Sequence, residues 1–161
     1  MPQFRKILCP VDFDPNSLLA LRLATELAQE RTATLHLLHV VAMPPGPEVA
    51  LPFGKMETTA RTKLERLARQ KVDGKVRYQV EVMMGDPGVE ILQAAKRQGA
   101  DLIVMATHGR KGLRHLVLGS VAEHVVREAP CPVLTVKPKT PVAKSSASRP
   151  VKSEKVKKRP A

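Results

Sequence analysis

Three glycines and a serine stand between an apolar run and a helical pattern, in an arrangement that suits an anion. The run over residues 102–105 predicts a buried strand; Gly109, Gly112 and Gly119 follow it, and Ser120 begins the helical pattern. Free backbone N–H groups and the positive end of the helix dipole attract phosphates at such a helix start, and the serine hydroxyl can donate to a phosphate oxygen. Glycines that serve only for positive φ, with a serine N-cap, would explain the same residues. Both interpretations stay open on these residues alone.

Asp12 is a second residue with chemistry to offer. It follows the apolar run 7–11, and in open parallel sheets ligands bind beyond the carboxyl ends of the strands. Its carboxylate could accept hydrogen bonds from a ribose or hold a metal through phosphates, and a plain turn aspartate is the alternative. The five histidines lack the spacing of metal ligands. We therefore expect no metal site built by the protein, and any Mg²⁺ would be carried mainly by nucleotide phosphates.

Alternating strand and helix patterns must position these residues. Apolar or alternating runs predict strands at residues 4–11, 35–41, 76–82, 101–106 and 133–136, with helices between them. Such alternation is typical of an α/β fold with a parallel sheet, right-handed crossovers and helices on both faces. Strands one, two and four are apolar throughout and are predicted to be central, whereas strand three alternates and is predicted to lie at an edge.

Helical spacing also predicts which side chains face the sheet. A helix cap at Asp14, followed by Pro15, marks the start of the first helix. The residues at inward helical spacing are Leu18, Leu21 (or Ala20), Ala24, Leu27 and Ala28 in the first helix, Met56, Ala60, Leu64, Leu67 and Lys71 in the second, Val89, Leu92 and Ala95 in the third, and Val121, Ala122, Val125, Val126 and Ala129 in the fourth. The opposite face of the second helix is charged, as expected where a helix meets solvent.

Length and composition limit the class of protein. A chain of 161 residues with two cysteines suits one domain without a disulfide framework, in a reducing, cytoplasmic setting. No run of about 18 apolar residues occurs and no apolar leader opens the chain, so we expect neither a membrane span nor a secretory signal. Residues 138–161 lack periodicity and hold eight basic residues against one acidic residue, which is +7 of the formal net charge of +12. This composition predicts a disordered basic tail after a domain over residues 1–137.

The glycine spacing resembles that of a known family. Gly109, nine further residues, and then Gly119 and Ser120 match most of the nucleotide loop of the universal stress protein family, whose pattern is G-x2-G-x9-G-[S/T]. The resemblance runs from about residue 4 to residue 137 and includes a Val-Asp pair after the first strand and Cys-Pro-Val-Leu at the last. Ala106 occupies the position of the first glycine in the pattern. The loop is neither a Walker A sequence nor a dinucleotide fingerprint.

The resemblance implies a Rossmann-like α/β fold: an open parallel five-stranded sheet in the order 3-2-1-4-5, with two helices on each face. It brings the carboxyl ends of strands one and four to one crevice. Carried over residue by residue, it implies that an adenine nucleotide is bound by Pro10, Val11, Asp12, Val40, Ala106, Gly109, Gly119, Ser120 and Val121. In that set the adenine lies near Val40, the ribose near Asp12, and the phosphates on the glycine loop.

The function that the resemblance implies is that of a cytoplasmic stress-response protein that binds ATP, with or without Mg²⁺, as a switch or sensor. Efficient hydrolysis, and hence enzyme activity, is not expected. The competing hypothesis is a dimeric interaction module of the same fold that binds no nucleotide and acts through dimerisation or its basic tail; Ala106 favours it. The resemblance also implies a homodimer through residues 133–136, an apolar edge strand that should be covered. A solvated tail that only aids solubility would explain the basic composition of residues 138–161. The tail lacks aromatic side chains, so any binding to nucleic acid or another polyanion would be weak and through phosphates alone.

Overall fold

The computed structural model describes residues 4–43, 53–107 and 118–137. Five strands alternate with four helices along these residues. In chain order they are β1 (Lys6–Pro10), α1 (Pro15–Arg31), β2 (Thr34–Ala42), α2 (Phe53–Lys71), β3 (Arg77–Gly85), α3 (Pro87–Gln98), β4 (Leu102–Ala106), α4 (Ser120–Glu128) and β5 (Val133–Val136). The predicted tail, residues 138–161, lies outside the described residues, as does most of the proline-rich segment between β2 and α2.

All strands are parallel and follow the order β3-β2-β1-β4-β5, so the predicted sheet is confirmed. β1 pairs with β2 on one side and β4 on the other, which places it at the centre. β3 lies at one edge, as its alternating pattern predicts, and pairs with β2 along nine residues up to Gly85. β5 forms the other edge.

Two helices cover each face of the sheet, as predicted. α1 and α2 pack on one face, where Leu21, Ala24 and Leu64 are almost fully buried against Ile7 and Leu35. α3 and α4 pack on the other face, with a separate core of this composition: Leu8, Leu38, Ile91, Leu92, Ala94, Ala95, Ala100, Ile103, Met105, Ala122 and Val125. Both cores are aliphatic, which explains how a chain with only four aromatic residues fills them.

The helix starts follow local rules that the sequence displays. Asp14 caps α1, its carboxylate accepting a hydrogen bond of 2.8 Å from the Asn16 N–H, and Pro15 opens the helix. Asp86 caps α3 in the same way, accepting from the Val89 N–H at 3.0 Å. A side-chain acceptor satisfies one of the N–H groups that a helix start leaves without a partner.

Three residues of the predicted inward series do not face the core: Lys71, Val89 and Val126. Val89 is 40% exposed and Val126 is 47% exposed. In α3 the buried side begins at Gly88, where an added Cβ would lie 2.8 Å from the Nδ1 of His124. α3 and α4 thus approach each other at a glycine, which a search for hydrophobic periodicity does not detect. The other two predicted inward residues of α3 are buried, so only the first position of that face is wrong. α4 contacts the edge strand β5, and among the described residues no element lies beyond that edge to cover Val126.

Candidate functional site

The fold brings most of the predicted site residues to one end of the sheet. Pro10 ends β1, Val11 and Asp12 follow it, and Val40 lies near the end of β2. Ala106 ends β4 on the other side of β1. Because parallel strands direct their carboxyl ends to the same end of the sheet, these residues lie where open parallel sheets bind ligands, on both sides of the central strand.

The start of α4 lies at the same edge. The Thr107 N–H donates to the Val136 carbonyl at 3.0 Å, and the Thr107 carbonyl accepts from the Gly119 N–H at 2.7 Å. These bonds hold both ends of the segment that joins β4 to α4. Gly119 is the N-cap of α4, and Ser120 and Val121 begin the helix, as predicted. Gly109, the remaining predicted residue of the loop, lies outside the described residues.

The N–H groups at the start of α4 differ in whether they already donate to an acceptor within the protein. Gly119 uses its N–H within the protein, on Thr107, so it contributes space for a ligand and no hydrogen bond. Ser120 and Val121 occupy the first positions of the helix, where an N–H has no acceptor within the helix. Gly119 also offers no side-chain cap to them. An anion at this point would meet the N–H groups of Ser120 and Val121 and the exposed Ser120 hydroxyl.

Ala106 sits where its methyl group is accommodated. It pairs with Val136 as the last residue of β4 and packs against the core between the sheet and α1 and α2. Among the described non-glycine residues, a positive φ occurs only at Phe13 and Thr32. The position therefore requires none of the conformational freedom of the glycine that it replaces in the pattern.

Asp12 belongs to a tight turn and keeps an oxygen for a ligand. Its Oδ1 accepts a hydrogen bond of 3.0 Å from the Asp14 N–H, and its own N–H donates to the Ser17 Oγ at 3.4 Å. The half-buried carboxylate is thus oriented by its own turn. A carboxylate offers about four acceptor positions, so this local bond and a ligand hydroxyl can be accepted together.

Three side chains outside the predicted site are grouped at the residues that flank Asp12: Phe13, His39 and Lys63. His39 Nδ1 lies 2.7 Å from the Val11 carbonyl oxygen. The rings of Phe13 and His39 are 4.5 Å apart between centroids, at an angle of 44°. Lys63 Nζ lies 4.1 Å from the centroid of the Phe13 ring. Residues 13, 39 and 63 are distant in sequence and share no motif, so no local pattern could have indicated this group.

Phe13 has a strained backbone. Its φ of 64° lies in the left-handed region, which costs a non-glycine residue roughly 1–2 kcal/mol. Residues in such conformations persist where neighbouring contacts hold them, and they are often found at binding sites. Here the neighbouring contacts are the His39 ring on β2 and the Lys63 ammonium on α2.

His36 and His39 are three residues apart on β2 and therefore lie on opposite faces of the strand. His36 is only 8% exposed and lines a cavity of about 290 Å³ on the α3 face, with Gln79, Glu81, Arg97 and Gln98. Burial lowers the pKa of His36, the charge of Lys6 lowers it further, and Glu81 acts in the opposite direction. None of the predicted site residues lines this cavity, so the buried histidine and the crevice beside Asp12 are separate features.

Neither cysteine belongs to the predicted nucleotide site. Burial raises the pKa of the Cys9 thiol to about 12, which makes it an unreactive core residue. Cys131 is half-buried, and burial followed by the charge of Asp101 raises its pKa as well. Within the described residues, no cluster of three or more histidine, cysteine, aspartate or glutamate side chains is arranged to hold a metal. None of the helices there is long and apolar enough to cross a membrane.

Comparisons with known proteins agree with this fold. The model of the universal stress protein family matches residues 3–137. Universal stress protein MJ0531 from Methanocaldococcus jannaschii is 36% identical over 142 residues, covering 83% of this chain and 82% of its own. The structure of universal stress protein UspA from Lactobacillus plantarum has a TM-score of 0.75 at 27% identity, covering 84% of this chain and 99% of its own.

A more distant structure shares the fold and contains a nucleotide. The universal stress protein from Archaeoglobus fulgidus in complex with dAMP has a TM-score of 0.60 at 22% identity, covering 83% of this chain and 98% of its own. A family match over most of the chain, together with a relative at 36% identity, establishes the family. The chain belongs to the universal stress protein family.

Proposed function

We propose that this protein binds an adenine nucleotide, ATP in particular, at the crevice between the carboxyl ends of β1 and β4. The observation that carries the proposal is the meeting of Asp12, Val40 and Ala106 with the start of α4 at one edge of the sheet. A related protein of the same fold was solved with dAMP. The adenine would lie near the backbone of Val40 and the ribose near Asp12.

The phosphates would lie on the segment from Gly109 to Val121. The N–H groups of Ser120 and Val121 suit an anion, because they stand at the positive end of the α4 dipole. Asp12 is the one carboxylate in the predicted set, and Mg²⁺ prefers several oxygen ligands. The phosphates would thus supply most of the coordination of a bound Mg²⁺, with Asp12 at most one further ligand.

Binding, rather than turnover, is the proposed role. Hydrolysis needs a base that activates a water molecule near the terminal phosphate. Asp12 is assigned to the ribose and is tied into its own turn, His39 directs its Nδ1 to the Val11 carbonyl, and His36 lies on the opposite face of β2. The nucleotide would then act as a switch or sensor by stabilising one arrangement of the β4–α4 segment.

Nucleotide carried through purification tests the proposal directly. Protein purified without added nucleotide is heat-denatured, and the supernatant is analysed for adenine nucleotides by chromatography. Calorimetric titration with ATP and Mg²⁺ follows on the emptied protein. We expect release of adenine nucleotide or saturable binding of ATP; the absence of both would refute the proposal.

Replacing Asp12 tests the assigned ribose contact. Asp12→Asn should weaken ATP binding by roughly 10-fold, because a hydrogen bond to a charged group contributes about 1.5–3 kcal/mol and the amide retains part of it. Asp73→Asn is the matched control, since Asp73 accepts from the Lys75 N–H at 2.8 Å in the same kind of turn but in the exposed segment between α2 and β3. Equal ATP affinity in the two variants would identify Asp12 as a turn residue only.

A second candidate function rests on the β5 edge. Leu134 is 38% exposed on that strand and Val126 is 47% exposed on α4, which contacts it. Apolar side chains at a sheet edge favour association. An interaction module that works through a homodimer and binds no nucleotide is the alternative, and the nucleotide-release experiment separates the two.

A further inference from the structure

We propose that His39 is a positioning residue for the nucleotide site, which holds the turn of Asp12 so that its carboxylate meets the ribose hydroxyls. The inference rests on the proposed function and adds to it a determinant of specificity for ribonucleotides over 2′-deoxyribonucleotides. It is carried by three contacts that converge on the residues on either side of Asp12: a hydrogen bond to Val11, a ring contact with Phe13, and a cation above that ring.

The first contact fixes the residue before Asp12. The Val11 N–H donates to the Leu38 carbonyl at 2.8 Å, and the Val11 carbonyl lies 2.7 Å from His39 Nδ1. A carbonyl oxygen only accepts hydrogen bonds, so Nδ1 carries the proton and donates. β1 has ended at Pro10, yet both backbone groups of Val11 remain bound to β2. Asp12 therefore begins from a residue whose orientation is set by two consecutive residues of the neighbouring strand.

The second and third contacts fix the residue after Asp12. Phe13 holds a left-handed φ of 64°, a conformation that an unrestrained phenylalanine would leave. The His39 ring packs against one part of the Phe13 ring, and Lys63 Nζ lies 4.1 Å from its centroid. One histidine thus contacts both neighbours of Asp12. Val40 follows His39 directly. The same part of β2 would therefore position both the adenine contact at Val40 and, through His39, the ribose contact at Asp12.

The turn completes the arrangement. Asp12 Oδ1 accepts from the Asp14 N–H at 3.0 Å, and Phe13, with its left-handed backbone, is the residue that this bond encloses. Releasing Val11 and Phe13 would let this turn open and the carboxylate move. A displacement of about 1 Å weakens a hydrogen bond to a bound ligand considerably. Movement of the Asp12 carboxylate should therefore weaken its contact with the ribose hydroxyls more than it weakens the binding of the phosphates.

The test compares two substitutions of His39 by their preference for ATP over 2′-deoxy-ATP. Asn carries an N–H donor at the position of Nδ1, whereas Leu fills similar space without a donor. We expect the parent to bind ATP about 10-fold more tightly than 2′-deoxy-ATP, because the deoxynucleotide lacks one hydrogen bond to the charged Asp12. His39→Leu should reduce that ratio to within about twofold of unity, and His39→Asn should keep most of it, because it retains the bond to Val11.

His36→Leu is the matched control. It removes a histidine from the same strand, three residues earlier and on the opposite face, and it reports any effect of general destabilisation on the ratio. Amide hydrogen exchange of Asp14 in nucleotide-free protein gives a second readout, since this N–H donates to Asp12 Oδ1. Its exchange should accelerate about 10-fold or more in His39→Leu and follow global stability alone in His36→Leu.

The outcomes separate the two proposals. A collapsed ratio with fast exchange at Asp14 in His39→Leu, restored in His39→Asn, supports the positioning role. A parent-like ratio in His39→Leu overturns that role while ATP binding itself stands. A parent protein that binds neither nucleotide overturns the proposed function and the positioning role with it.

Discussion

Ser120 and Val121 carry the chemistry of the proposed phosphate site because of where they stand on α4. As the first residues of the helix they present N–H groups without an acceptor in the helix. Gly119, one residue earlier, has already donated its N–H to Thr107. In the proposed site these adjacent residues of the motif would therefore differ in role: Gly119 would leave space for the phosphates, and Ser120 and Val121 would donate to them.

Ser120→Ala is expected to weaken ATP binding without destabilising the fold. The hydroxyl is exposed, so its loss should change the free energy of unfolding by about 0.5 kcal/mol or less. A hydrogen bond to a phosphate contributes about 1.5–3 kcal/mol, so the affinity should fall by roughly 10-fold or more. Calorimetric titration measures the change. Thr59→Ala, which removes an exposed hydroxyl from α2, should bind ATP as the parent does; an equal loss in both variants would contradict the assignment of Ser120.

His36 should make the stability of the protein depend on pH. Burial and Lys6 on β1 lower its pKa, while Glu81 on β3 acts against them, and Arg97 on α3 lies in the same cavity. A group with a lowered pKa in the folded state favours folding above its unfolded pKa of about 6.5. That contribution is lost as the pH falls from about 6.5 through the folded pKa. In this range His36 binds a proton in the unfolded chain but remains neutral in the folded chain, so protonation favours unfolding.

Urea unfolding at pH 7.5 and pH 5.0 (about one unit above and about one and a half units below the unfolded pKa) measures this effect. The free energy of unfolding of the parent should fall between the two values, and that of His36→Leu should fall less. If both proteins lose the same amount, other groups govern the acid sensitivity and the burial of His36 has no energetic consequence.

At the scale of elements, the two edges of the sheet differ in what they expose. β3 ends one side and places the partly exposed Tyr78 there, while β5 ends the other with Leu134. β5 has four residues and β3 has nine. The family resemblance implies that the proposed homodimer forms through β5, and Val126 of α4, a helix that contacts β5, is exposed as well.

Leu134→Lys should convert a dimer into a monomer. The side chain is partly exposed in the single chain, so the charge is tolerated by the monomer, whereas two lysines would meet across a two-fold interface. Light scattering at micromolar concentration reads the mass. Tyr78→Lys introduces the same charge at the opposite edge, from a residue of 37% exposure, and should leave the dimer intact. A parent that is already a monomer, or a dimer lost only in Tyr78→Lys, would contradict the assignment to β5.

At the scale of the whole molecule, charge is unevenly distributed along the chain. Residues 138–161 carry eight basic residues and one acidic residue, whereas the formal net charge of the complete chain is +12. This segment lies outside the described residues, and its proposed role, a weak contact with polyanions, stays a prediction from composition. Neutralising phosphates with lysine and arginine releases counterions, so such binding must weaken steeply with salt.

Deleting residues 138–161 should abolish weak DNA retardation at low salt and leave ATP binding unchanged. Retardation of a DNA duplex by the full-length and truncated chains, at low and near-physiological salt, provides the measurement. The full-length chain should lose its retardation as the salt rises, because the contact is to phosphates alone. Equal retardation by both chains would place any DNA contact in the folded domain and refute a role for the tail.

Much of the fold was determined by local features of the sequence. Strand and helix positions follow from apolar periodicity, and caps such as Asp14 and Asp86 act within three residues of themselves. The edge position of β3 was readable from its alternation, because one face of an edge strand is left in solvent. The family, and with it the strand order, followed from a glycine spacing that survives the replacement at Ala106.

The tertiary structure decided what depends on residues distant in the chain. Val89 and Val126 satisfy helical spacing yet remain exposed, because burial depends on which neighbour covers a face, and Gly88 sets the approach of α3 to α4. The contacts of His39 with Val11 and Phe13 exist only because β2 lies beside β1. Periodicity and capping are encoded in neighbouring residues, whereas these contacts arise from the path of the folded chain, and so only the structure could reveal them.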